Sequence, residues 1–114
     1  MTGEPTSRDD FYCSEVLSGR TSVAAVSETP LVIAFRHTRP MFETHIVVIP
    51  KRHIGSLLDP SLTDAELLAL LHVVKAVARE VLAERGASRV QTNLGSYQDS
   101  KHLHWHVYAG ERVG

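Results

Sequence analysis

Residues 102–110 read His-Leu-His-Trp-His-Val-Tyr-Ala-Gly, and the placing of this stretch decides the fold. On a helix, positions 102, 104 and 106 would splay over about 200° of arc. On a strand, the three histidines share one side, and Leu103, Trp105 and Val107 share the other. The apolar partners favour the strand. They bury against a helix, while the row of imidazoles meets a cleft or solvent.

Upstream, the helix that would receive those apolar side chains is legible. Thr63, with Glu66 three residues later, spells a capping box. Leu67, Leu71, Val74, Ala78 and Leu82 then recur at helical spacing, and Gly86 supplies the stop. LVIAF (31–35) is apolar and β-branched, a strand buried on both faces. HIVVIP (45–50) is another strand, ended by Pro50. RHTRPMFET between them reads as a loop, TSVAAVSE as a first strand and SRVQTNL as a fourth. Asp10 caps a short helix through FYCSEVLS, stopped at Gly19. The order α-β-β-β-α-β-β with short connections implies an α+β fold with antiparallel neighbours.

Length and composition bound the rest. The 114 residues make one domain over 10–114, preceded by a polar, disordered tail over 1–9. Net charge is −1, with no basic excess of the kind that binds nucleic acid. No apolar run approaches the roughly 20 residues of a membrane span. A lone cysteine, Cys13, excludes an internal disulfide and fits a reducing, cytoplasmic compartment.

Three readings of the histidine row compete. Two of the rings can share a metal with a remote third ligand, His45 or His53. All three cannot, because the outer pair is about 13 Å apart along a strand. The row can also be a plain solvated face. Alternatively, a neutral imidazole, available at pH 7, attacks phosphorus and forms a phosphoramidate that water then cleaves. His104 is then the central ring, with a neighbour on each side to orient it and to hydrogen-bond phosphate oxygens. Away from the row, Lys51 and Arg52 read as a solvated turn, and Phe11, Tyr12 and Phe35 as core or pocket.

With HLHWHVY in place, the chain resembles the histidine triad (HIT) proteins, a family of nucleotide hydrolases and transferases. FYCSEVLSG, LVIAFRHTRP, THIVVIPKRHI (44–54), TNLG and a Gln four residues before the first triad histidine match the family in order, over roughly residues 10–110. The resemblance implies a five-stranded antiparallel sheet with one long and one short helix, usually as a homodimer. It implies that His104 is the nucleophile taking the nucleotidyl group from an α-phosphate. His102 would orient that ring through its backbone, His106 would contact phosphate oxygens, and His45 would complete the cluster. Asn93, Gly95 and Gln98 match phosphate-side positions, while Phe11, Tyr12 and Phe35 match the base and ribose pocket. The implied substrate is a purine nucleotide, such as a nucleoside phosphoramidate or dinucleoside polyphosphate. No cofactor and no metal are expected, since the structural zinc of some members needs ligands that one cysteine does not supply. A nucleotide-binding scaffold with little turnover and a nucleotidyltransferase are the alternatives.

The chain departs from the family pattern at several places. His37 stands where members often carry an acidic residue for the ribose hydroxyls. Asp99 follows Gln98 where Ser or Thr is usual, which is odd beside phosphate unless Asp99 points away or is bound by Lys101. The loop to His102 is short, and the sequence runs eight residues past the triad, without the long tail of some branches.

Overall fold

The computed structural model describes residues 12–19 and 22–114. Strands β1 (Ala25–Glu28), β2 (Val32–Arg36), β3 (Phe42–Pro50), β4 (Arg89–Thr92) and β5 (Trp105–Arg112) form one antiparallel sheet in the order β1-β2-β3-β5-β4. Helix α1 is a single π-type turn over Tyr12–Leu17, and α2 spans Asp64–Arg85. This is the α+β arrangement read from the sequence, with its five antiparallel strands and one long and one short helix. Residues 1–9, Asp10 and Phe11 lie outside the described residues.

Side-chain parity sets the two faces of the sheet. Ile46 and Val48 of β3, Ala34 of β2, and Leu103, Trp105 and Val107 pack into one cluster with α2. Val47, Ile49 and Phe35 project to the opposite face and pack with Tyr12 and Val16 of α1. The sheet centre is therefore buried on both sides, and β3 is buried from Thr44 to Pro50. The apolar partners of the histidine row do bury against the long helix.

Helix α2 begins as expected. The Thr63 side chain accepts from Glu66 N–H at 3.1 Å, and Glu66 Oε1 accepts from Thr63 N–H at 3.0 Å. Gly86, at φ +79°, closes the helix with its N–H on Leu82 O at 2.8 Å. The buried face differs from the expected stripe: it is Leu70, Val73, Val74, Val77 and Val81, whereas Leu71 and Leu82 are exposed. The helix is apolar on more than one side, so spacing alone admits two faces.

Three further readings are corrected. Strand β3 starts at Phe42 rather than His45; Phe42 pairs with Arg112 and Thr44 with Ala109, and a register shift between them breaks the period-2 signal. His102 and His104 lie in an extended segment before β5, which begins at Trp105. Lys51 and Arg52 are not simply solvated. Lys51 pairs with Glu28 at 2.6 Å, and Arg52 grips Glu66 at 2.6 and 2.9 Å and Ser61 O at 2.8 Å, tying the β3–α2 connection to the start of the helix.

Candidate active site

The segment ahead of β5 is pinned before its histidines are placed. Leu103 N–H donates to Ile54 O at 2.6 Å, and the Thr92 hydroxyl donates to His104 O at 2.7 Å. His102 is fully buried, with Nε2 2.8 Å from Pro50 O. A carbonyl only accepts, so this nitrogen carries the proton and Nδ1 keeps its lone pair. The His102 ring therefore anchors the segment and does not face the cleft, contrary to the reading that all three rings share that surface.

The same logic fixes the other rings. His104 Nδ1 lies 2.8 Å from His102 O and must donate to it, which leaves the Nε2 lone pair as the free position of a 2 % exposed ring. Met41 N–H donates to His45 Nδ1 at 3.1 Å, so neutral His45 carries its proton on Nε2. That atom stands 2.9 Å from His106 Nδ1 and donates to it. His106 is left with an Nε2–H. Arg39 N–H donates to His37 Nδ1 at 2.9 Å, so His37 also keeps an Nε2–H. The backbone places His37 beside His45, because His37 N–H donates to His45 O at 2.8 Å. The ring centroids are 4.4 Å apart.

His37, His104 and His106 border a cleft of about 340 Å³ that Tyr12, Thr38, Arg39, Asp99 and Ser100 complete. Burial holds His37, His45, His104 and His106 below the ordinary histidine range. His45 is pushed down to about 4, chiefly by desolvation and then by His37. His106 falls to about 3, by desolvation and then by His104, His45 and His37. His104 and His37 are lowered as well, mainly by burial, while the Asp99 carboxylate pulls both the other way. Burial lifts the Tyr12 phenol, and Asp99 lifts it further. At neutral pH the site holds a ring with an open lone pair between ring N–H donors, an arrangement suited to attack on an electrophile bearing anionic oxygens.

The remaining expected residues divide. Tyr12 and His37 reach the cleft, and the Tyr12 ring lies 5.0 Å from His104. Phe35 is core, at 1 % exposure. Asn93, Gly95 and Gln98 do not line the cleft. Asn93 Oδ1 accepts from Gln91 at 3.4 Å, and Gly95, at φ +63°, opens a single 3-10 turn. The buried Gln98 amide donates to Gly55 O at 2.7 Å and Ser100 O at 2.9 Å, bracing the loop under the cleft. Thr38, Arg39 and Ser100 line the cleft and were missed by sequence reasoning, although each sits within two residues of a flagged position.

Among the described residues, two groups bring three donor atoms within 4.8 Å of one another: His37, His45 and His106, and Cys13, His53 and His102. A metal-bound imidazole normally donates its other N–H. His37 and His45 instead accept backbone N–H groups at Nδ1, which makes the first group a hydrogen-bond relay. The second fits a metal better, since His102 donates through Nε2 and turns Nδ1 toward Cys13 Sγ at 3.3 Å. Cys13, single in the sequence, thus meets two imidazoles in space.

The chain is similar to several known proteins. A HIT-like protein of 13.2 kDa from Azospirillum brasilense is 37% identical over 105 residues, covering 89% of this chain and 86% of that one. The purine nucleoside phosphoramidase of Escherichia coli (strain K12) is 33% identical over 109 residues, covering 93% and 92%. A solved histidine triad protein from Clostridium difficile superposes with a TM-score of 0.70 at 33% identity, covering 93% and 94%. The HIT domain model itself matches residues 19–113, a span that carries the whole sheet, α2 and every histidine of the cluster, and the chain belongs to the HIT domain family.

Proposed function

We propose that the chain is a nucleotide hydrolase that cleaves at the α-phosphate of a purine nucleoside phosphoramidate or dinucleoside polyphosphate through a nucleotidyl-histidine on His104. The observation that carries this reading is the bond from His104 Nδ1 to His102 O, which leaves Nε2 unprotonated toward the cleft. Kinship with a purine nucleoside phosphoramidase supports the substrate class.

In the first step the Nε2 lone pair attacks phosphorus. The N–P bond forms as the bond to the leaving group breaks, and a leaving amine nitrogen takes a proton from solvent. His106 donates a hydrogen bond through Nε2–H to the oxygens that gain charge, without surrendering the proton. Water then attacks phosphorus, the N–P electrons return to His104, and a proton passes to solvent as the nucleoside monophosphate leaves. Hydrolase and transferase differ only in whether water or a second acceptor makes that second attack.

The chain acts as a homodimer in this reading. Edge strand β4 carries exposed Val90, which shares a surface groove with exposed Leu82 of α2, an apolar patch that a shared interface would cover. No helix among the described residues is long and apolar enough to cross a membrane, and with the single cysteine this supports a cytoplasmic enzyme.

The test is release of AMP from a fluorogenic adenosine 5′-phosphoramidate by wild type and His104→Ala. Release that disappears in the variant supports the mechanism, and equal release in both overturns it. A second reading, a nucleotide-binding protein with little turnover, is favoured by the unneutralised Asp99 carboxylate in the cleft. Tight AMP binding with no release by wild type would select it.

A further inference from the structure

Asp99 is exposed on the cleft wall that also carries His104, His106 and His37. Two arrangements would make it harmless to a bound phosphate, and neither is present. It does not point away. It is not neutralised by Lys101 either, whose Nζ is held by Gly95 O and Gln98 O at 2.9 Å each. Among the described residues Asp99 makes no ion pair. Its charge is felt on three sides of the cleft, by Tyr12, His37 and His104.

The cations nearby are few. Arg39 lines the cleft, whereas Lys51 and Arg52 are engaged by Glu28 and Glu66. One guanidinium balances the single negative charge of a phosphoramidate or phosphodiester. Any further negative charge on the leaving group meets no second cation among the described lining residues, and a carboxylate opposes it.

We propose that Asp99 is a specificity-determining residue that restricts the site to substrates whose leaving group carries no negative charge: nucleoside phosphoramidates of neutral or cationic amines, against dinucleoside polyphosphates. This rests on the hydrolase reading above and chooses between its two substrate classes. Unit charges sharing one cleft wall at an effective dielectric of about 20–40 discriminate by roughly tenfold per added charge.

The experiment compares wild type with Asp99→Asn and Asp99→Ser. An exposed side chain with no partner can be changed without loss of fold, and an unchanged Tm checks this. The ratio of kcat/KM for diadenosine tetraphosphate to that for an adenosine phosphoramidate of a neutral amine should rise about tenfold or more in both variants. An unchanged ratio would overturn the proposal. A readout independent of turnover is calorimetry in a His104→Ala background with adenosine, AMP and ADP. Removing the carboxylate should leave adenosine affinity unchanged and raise affinity progressively from AMP to ADP, whereas an equal change across the series would overturn the proposal. If no substrate is turned over by any form, the hydrolase reading fails, and the graded affinities still decide the role of Asp99.

Discussion

His45 Nε2 lies 2.9 Å from His106 Nδ1, and Met41 N–H holds the far side of the His45 ring at 3.1 Å. A main-chain N–H thus sets the tautomer of a ring two side chains away. Replacing His45 with Phe removes the donor, and His106 becomes free to carry its proton on the wrong nitrogen. We expect kcat to fall by up to about 100-fold with KM little changed, since His106 is misoriented and not removed, and outright loss of one aligned donor costs about 10²–10³. Gln at 45 can still donate, so His45→Gln should retain more activity than His45→Phe. Steady-state kinetics on one phosphoramidate check both variants.

The histidine cluster makes a pH prediction. Folding lowers the affinities of His45 and His106 for protons, to about 4 and about 3. The unfolded chain takes up these protons first, near pH 6.5. The stability held by neutral rings is therefore complete above that pH and is lost as pH falls toward 4 and below. Each ring contributes a slope of at most about 1.4 kcal/mol per pH unit in this window. Urea unfolding at pH 7, 6, 5 and 4 should show a decline that His106→Asn makes shallower.

His104, the proposed nucleophile, has its own pH signature. Burial holds His104 below the ordinary histidine range, so its lone pair stays available in mild acid. The acid limb of kcat/KM should fall below pH 6.5. A limb at or above 6.5 would contradict a desolvated nucleophile.

Gln98 braces the loop through Gly55 O and Ser100 O. Gln98→Ala strands the carbonyls of Gly55 and Ser100 and should cost about 1–3 kcal/mol. AMP affinity should fall only through that loss of order. Chemical denaturation beside calorimetry separates the two effects.

Helix α2 offers a paired contrast. Leu70 is fully buried, and Leu70→Ala should cost about 2–5 kcal/mol. Leu82 is half exposed, and Leu82→Glu should leave the fold intact; if the proposed homodimer forms through this face, the variant should fall to monomer mass in light scattering.

Much of this was legible in the chain. Alternation at 102–107 excluded a helix and put Leu103, Trp105 and Val107 in the core, although the strand itself begins only at Trp105. Thr63 and Glu66 announced the helix start through a purely local bond pattern. The buried side of α2 was not legible, because Leu70 and Leu71 are equally apolar and only the sheet chooses between them. Nor was Gln98, whose amide answers to Gly55, 43 residues away. The meeting of Cys13, His53 and His102 depends on β3 and the β5 segment lying side by side, which no local pattern records.

The bond from His104 to the His102 carbonyl has a consequence for mutational scanning. The group that aims the His104 ring is main chain, and no side-chain replacement deletes it. A scan would score position 102 only by its ring, through the tie to Pro50, and a tolerated substitution there would wrongly acquit the residue. The orienting element of this site is invisible to the genetic code except through whatever bends the backbone.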